Sequence, residues 1–197
     1  MELTIRQLDI IKKAIGIIAI EGFQDLTTKN LADAVGVSEA ALYRHFDSKT
    51  ELIHKILEYF QSLAQQAMGS IQSEISDPLE QVKAFVMNRY TLFLENPDLA
   101  KVMFSEEIFQ NDRSLAEHNL AIIHIHRDQL LQSIEAAQKL NEIRPDLEAI
   151  HLFRIIVGSM RLLVMQWQLS DNAFPLKTEG EKLWETIVTM ITKSYIT

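Results

Sequence analysis

Apolar residues recur at three- and four-residue spacing along almost the whole chain, and no run alternates in the manner of a strand. The pattern predicts an all-α protein of about nine helices. The first is expected from Thr4 to Glu21, with Leu8, Ile11, Ile15, Ile18 and Ala19 on one stripe and Gly22 as its stop. Two short helices follow between Thr27 and Phe46. Ser48 then starts a long helix running from Lys49 towards Ile75, with Leu52, Ile56, Phe60 and Leu63 on one side. Asp77-Pro78 has the form of a helix start, a capping carboxylate and then proline at the first position, for a helix to about Glu95. Asn96-Pro97-Asp98 breaks the chain before a shorter helix that carries Leu99 to Phe109. Asn111-Asp112 precedes a long helix from Ser114 to about Leu140, Arg144-Pro145-Asp146 opens the next through Leu169, and the last runs from Thr178 to Tyr195.

The stretch from Thr27 to Lys49, TTKNLADAVGVSEAALYRHFDSK, carries the most specific pattern. Thr27 or Thr28 caps a helix whose Leu31, Ala32 and Val35 share one side. Gly36 ends it where a left-handed backbone is needed. Val37 fills the corner, and Ser38 caps a second helix through its hydroxyl. Leu42 and Phe46, four apart, hold that helix from behind and leave Glu39, Ala40, Tyr43, Arg44 and His45 outward. Such a helix is built to be presented, and a helix-turn-helix presents its second helix to the DNA major groove, N-terminal residues first.

The run from Leu26 to Leu52 resembles the DNA-binding domain of the tetracycline-repressor (TetR) family of bacterial transcriptional regulators. The resemblance rests on the Thr-Thr start, the Ala-x-x-x-Gly-Val-Ser turn, the Leu-Tyr-x-His-Phe end and Lys49, with Gly22-Phe23 upstream. It covers the first third of the chain. It implies phosphate contacts from Thr28, Lys29, Tyr43, His45 and Lys49, and an approach to bases or backbone by Ser38, Glu39, Ala40 and Ala41. Arg44 could reach guanine bidentately or clamp a phosphate. Glu39 could accept from cytosine or simply favour the helix N-terminus. The expected organisation is a helix-turn-helix head over residues 4–64, with the motif at about 27–46. A connector helix joins it to a ligand-binding and dimerisation body over residues 77–197.

The helix from Ile150 to Trp167 is apolar nearly all round, so it must be covered nearly all round. Gly158-Ser159 would admit a close neighbour. With the last helix it suggests a homodimer interface built as a four-helix bundle, through Phe153, Val157, Met160, Leu163 and Val164 on one helix and Trp184, Ile187, Val188 and Ile191 on the other; the same residues could instead be the core of a single chain. The resemblance implies the same interface. A small-molecule cavity is expected among Phe85, Arg89, Tyr90, Phe93, Met103 and Phe104, with Ile122, Phe153, Met160 and Trp167. The effector's identity stays open. Its binding would shift the connector and change the spacing of two recognition helices that otherwise match half-sites roughly 34–36 Å apart on a double-stranded DNA operator.

Charge complicates this picture. The net charge of the chain is −8. Residues 1–55 hold seven Lys/Arg against eight Asp/Glu, net −1, so the head is neutral and the body acidic. Non-specific DNA affinity should therefore be low and salt-dependent. Cysteine is absent, which removes disulfides and thiolate chemistry and fits a cytoplasmic location. No signal segment is expected from the mixed polar Met1–Asp9, and the run Ile155–Trp167 is too short for a bilayer. No catalytic pair has usable spacing, so an enzyme is not expected, and no cofactor is required. A divalent-metal site from Glu106 or Glu107 with His118, His124 or His151 is conceivable. It leaves a metal-sensing regulator as one alternative, and the neutral head leaves a protein-binding adapter as another.

Overall fold

The computed structural model describes residues 3–192, apart from the side chain of Glu106. Among these residues there are ten α-helices: α1 Ile5–Glu21, α2 Thr28–Val35, α3 Glu39–Leu42, α4 Lys49–Glu74, α5 Pro78–Glu95, α6 Pro97–Met103, α7 Glu106–Gln110, α8 Arg113–Lys139, α9 Ala149–Leu169 and α10 Leu176–Ile191. The all-α class is as expected. The tenth helix arises because the segment around Leu99–Phe109 breaks at Phe104-Ser105, where the Ser105 hydroxyl accepts from the Ile108 amide and starts α7 afresh. Tyr195, expected on the last helix, lies outside the described residues.

Side-chain caps set most boundaries. Thr4 and Gln7 form a reciprocal capping box on α1. Asp77 accepts from the Glu80 amide before α5. Asp112 accepts from the amides of Ser114 and Leu115 before α8. Between α8 and α9, Gln138 donates to the carbonyls of Arg144 and Leu147 and ties the loop to the helix it has just left.

The chain forms two compact units. The first takes residues 1–63 and 96–122, the second 64–95 and 123–197, so α4 and α8 each begin in the first and continue into the second. The core of the first unit holds Ile10, Ile11, Ile53, Ile56, Leu57, Leu99 and Leu115, all essentially inaccessible. In the second unit α5, α9 and α10 pack together over Val82, Phe85, Tyr90, Ile156, Val164 and Trp184. The approach of α10 to α5 is close because residue 180 is glycine. A Cβ there would run into the Tyr90 ring, which is itself buried.

α9 divides its apolar residues between two sides. Leu152, Phe153, Ile156, Met160, Val164 and Trp167 are buried within the unit. Ile155, Leu162 (51% exposed), Met165 and Leu169 (80%) stay open. The expected interface is corrected accordingly. Phe153, Met160, Val164, Trp184, Ile187 and Ile191 belong to the unit's own core, whereas Val157, Leu163 and Val188 are only partly covered. The expectation that the apolar run is too short for a bilayer is corrected too. α9 extends to 21 residues and passes by length and composition as a membrane span, with a mean hydropathy of 1.4 and 28% of that window buried. Its open side nonetheless carries Arg154, Arg161 and Gln166, each exposed, and an arginine at the centre of a bilayer costs roughly 2.5–3.5 kcal/mol.

Gly180→Ala is expected to destabilise the chain by about 1–3 kcal/mol through overpacking against Tyr90, read as a lower denaturation midpoint. The Gly180→Ala/Tyr90→Leu double variant should recover part of that loss, because the smaller side chain makes room.

Candidate nucleic-acid interface

The helix-turn-helix is assembled from short-range hydrogen bonds. Thr27, not Thr28, is the cap of α2 and accepts from the Asn30 amide. Asn30 returns a bond to the Asp25 carbonyl. Gly36 takes φ 73°, ψ 41°, a left-handed geometry that a side chain would oppose, and its amide closes the end of α2. Ser38 accepts from the Ala41 amide and opens α3. α3 is only four residues long. Beyond Leu42 the chain tightens into i to i−3 bonds, Arg44 to Ala41 and His45 to Leu42, before the Phe46 amide also closes on the Leu42 carbonyl.

Leu42 and Phe46 are both buried and clamp the short helix. Tyr43 is 52% exposed. Ser38, Glu39, Ala40, Arg44 and Lys29 are also exposed, while Thr28, Ala41 and His45 are partly covered. The Tyr43 hydroxyl lies 3.2 Å from the Thr28 hydroxyl, which joins the start of α2 to the end of α3 in one polar surface. This surface offers hydroxyls, a guanidinium and an ammonium without a wall in front of them.

Lys49 departs from the rest of the expected set. Its Nζ donates to the Phe23 carbonyl at 2.5 Å and stands 3.9 Å above the centre of the Phe23 ring. Burial holds its pKa below the usual lysine value, against the opposing charges of Glu107 and Asp25. Lys49 therefore locks the loop after α1 to the start of α4 rather than reaching outward.

The expected ligand-site residues fall into both units. Met103, Phe104 and Ile122 belong to the first; Phe85, Arg89, Tyr90, Phe93, Phe153, Met160 and Trp167 belong to the second. In the second unit, Arg89 is 3% exposed, with its guanidinium 4.7 Å from the centre of the Phe85 ring. Burial lowers its pKa to about 10, so it remains charged near neutrality. His126, on α8, packs its ring against that of Phe85 with the two planes inclined at 69°. Burial, and then the Arg89 charge, lower its pKa to about 3 and keep it neutral.

The candidate metal ligands are not brought together. Glu107 accepts from Gln24, His118 pairs with His54, His124 is exposed and His151 faces Glu148 at the surface. The Glu106 side chain lies outside the described residues. Among the described residues no group of three potential ligands is close enough to hold a metal ion.

A capped helix-turn-helix whose second helix is exposed has the form of a DNA-binding element. Residues 10–56 match the family model for bacterial regulatory proteins of the tetR family, and residues 54–190 match that for the C-terminal region of YsiA-like proteins. The nucleoid occlusion factor SlmA of Vibrio atlanticus is 37% identical over 162 residues, covering 77% of this chain and 81% of that protein. The chain belongs to the TetR family and is a DNA-binding transcriptional regulator. Its fold is also that of the fatty acid degradation regulator FadR from Bacillus halodurans, at a TM-score of 0.83 with 18% identity over 95% of this chain and 97% of that one. The regulator FadR from Bacillus subtilis, solved with stearoyl-CoA, superposes at a TM-score of 0.83 with 20% identity over 93% and 98% of the two chains.

Lys49→Met is expected to lower the stability of the first unit by about 1 kcal/mol, through loss of the carbonyl bond and the ring contact. The salt dependence of DNA binding should stay unchanged, because the ammonium is engaged by the Phe23 carbonyl and ring. A flattened salt slope would put Lys49 back on the DNA.

Proposed function

We propose that this regulator is a homodimeric, ligand-released repressor that reads a palindromic operator with α3. The observation that carries the reading is the exposed α3 surface. Glu39, Ala40, Tyr43 and Arg44 face solvent while Leu42 and Phe46 are buried behind them. Arg44 is the base-reading residue, and Thr28, Lys29, Tyr43 and His45 contact phosphate, with Ser38 and Ala41 at the helix start. The head over residues 4–64 binds DNA, and the body over residues 77–197 binds ligand and dimerises.

The second copy covers the open side of α9. Ile155, Gly158, Leu162, Met165 and Leu169 follow one another at alternating spacings of three and four, the spacing of a coiled-coil seam. Gly158 is exposed, with open space where a Cβ would stand, so another helix can approach there. The effector is an apolar molecule with an anionic head. Phe85, Phe93, Phe153, Met160 and Trp167 supply apolar walls, and Arg89 supplies the cation. The stearoyl-CoA bound by the Bacillus subtilis neighbour has that chemistry. Ligand weakens operator binding by displacing α4, and no catalysis is involved. The protein acts in the cytoplasm, where its operator lies.

The name that the SlmA relatives carry, nucleoid occlusion factor, supports a second reading, in which the chain is a protein-binding adapter that keeps the head fold and works through partners instead of an operator. Failure to enrich any sequence from genomic fragments would favour it over the repressor.

Selection of bound genomic fragments tests the main reading. With a selected site in hand, Arg44→Ala should relax base preference and cost about 1–3 kcal/mol, whereas Lys29→Ala should weaken all sites alike and reduce the salt slope by about one. Identical behaviour of the two variants would make Arg44 a phosphate clamp.

A further inference from the structure

Two histidines outside the DNA surface face each other at hydrogen-bond distance. His54, on the first half of α4, and His118, near the start of α8, have their Nδ1 atoms 2.7 Å apart and their rings stacked at 5.0 Å between centres with a 27° tilt. The contact lies within the first unit. It ends a chain of polar contacts. His54 Nε2 is 3.2 Å from the Ser114 hydroxyl, Ser114 donates to Asp112, and Thr50 donates to the other Asp112 oxygen. α4 and the start of α8 are thus joined by two adjacent polar links, at Thr50–Asp112 and at His54–His118.

Two ring nitrogens at that separation accommodate one proton. When both imidazoles are neutral, one donates its Nδ1–H to the lone pair of the other. When both are protonated, two N–H groups and two positive charges point at each other and the contact cannot persist. We propose that His54 and His118 form a proton-operated clasp, closed near neutrality, which holds the helix leaving the recognition unit against α8 and opens on acidification. With no third ligand nearby among the described residues, a proton rather than a metal ion is the exchangeable species.

The surrounding charges agree with this. Burial lowers the pKa of His118 most; the His54 charge and Lys55 lower it further, and Glu58 opposes them. Lys55 and Glu58 are paired at 2.8 Å on α4 itself. The Asp112 carboxyl is held below its usual range by the Ser114 hydroxyl and by backbone amides, so it stays an acceptor through mildly acidic conditions. Because the folded His118 titrates below its ordinary 6.5, the unfolded chain takes up its proton first. The contribution to stability is complete above that value and is lost as the pH falls towards the lowered folded value.

The functional half of the proposal rests on the regulator reading, whereas the clasp itself does not. Imidazole-detected NMR of the full chain between about pH 5 and about pH 8 should show coupled titration of His54 and His118, and the His118 curve should become a simple single-site one in His54→Gln. Thermal unfolding should fall by at least about 3 °C more between about pH 7.5 and about pH 5.5 in the wild type than in His118→Phe, which keeps a ring but cannot titrate. His54→Gln is the second variant if His118→Phe folds poorly, and His124→Gln, exposed and elsewhere on α8, should behave as wild type. Independent titration of the two histidines, or an equal pH dependence in wild type and His118→Phe, overturns the clasp whether or not the protein binds DNA. For a selected operator, acidification should weaken wild-type binding several-fold more than binding by His118→Phe. Equal weakening would overturn the link between clasp and recognition unit, and absence of any operator would count against the regulator reading instead.

Discussion

A helix of four residues has no stability of its own. Nucleating a single turn costs more than the first hydrogen bonds return. α3 exists because its surroundings hold it at both ends and from behind. Ser38 satisfies an amide at its start, and Leu42 and Phe46 enter the core at its close. Gly36 provides the left-handed residue that turns the chain into position. With so little intrinsic preference, the orientation of Tyr43 and Arg44 is set by the packing of the first unit. Whatever disturbs that packing reaches the exposed surface of Tyr43 and Arg44 without touching it.

The same logic explains the polar contacts around α4. Its first residue, Lys49, is turned back onto Phe23, and its next two turns are joined to the start of α8 through Thr50 and His54. α4 continues beyond the first unit as one uninterrupted helix to Glu74, and α8 likewise to Lys139. An α-helix transmits displacement along its axis because its hydrogen bonds leave few soft dihedrals. A contact that grips α4 near its start therefore holds a helix that runs on beyond the first unit.

α9 shows how an apolar helix is partitioned. One side packs into α5 and α10 through Phe153, Ile156 and Val164, and the other presents Ile155, Leu162, Met165 and Leu169 around an exposed glycine. The exposed arginines on that side make a protein surface a better cover than lipid. Buried Arg89 is the converse case. A charge in an apolar interior is costly, and the face of the Phe85 ring meets part of that cost.

Much of this was legible in the residues themselves. Capping threonine and serine, the glycine at a left-handed turn and the Leu42–Phe46 pair are local signals, determined within a few residues of chain. They determined the helix-turn-helix, while the three- and four-residue periodicity determined the all-α class. Helical periodicity also determined that α9 needs cover on more than one side. It could not determine which side the chain itself would cover, because that depends on where α5 and α10 lie. Phe153 and Ile155 are equivalent as hydrophobes and opposite in outcome. Lys49 reads as a phosphate contact until the Phe23 carbonyl, 26 residues away, is placed beside it. His54 and His118, 64 positions apart, carry no signal in the sequence at all. Only the tertiary structure decided these, since side chains distant along the chain acquire their chemistry from the neighbours that packing gives them.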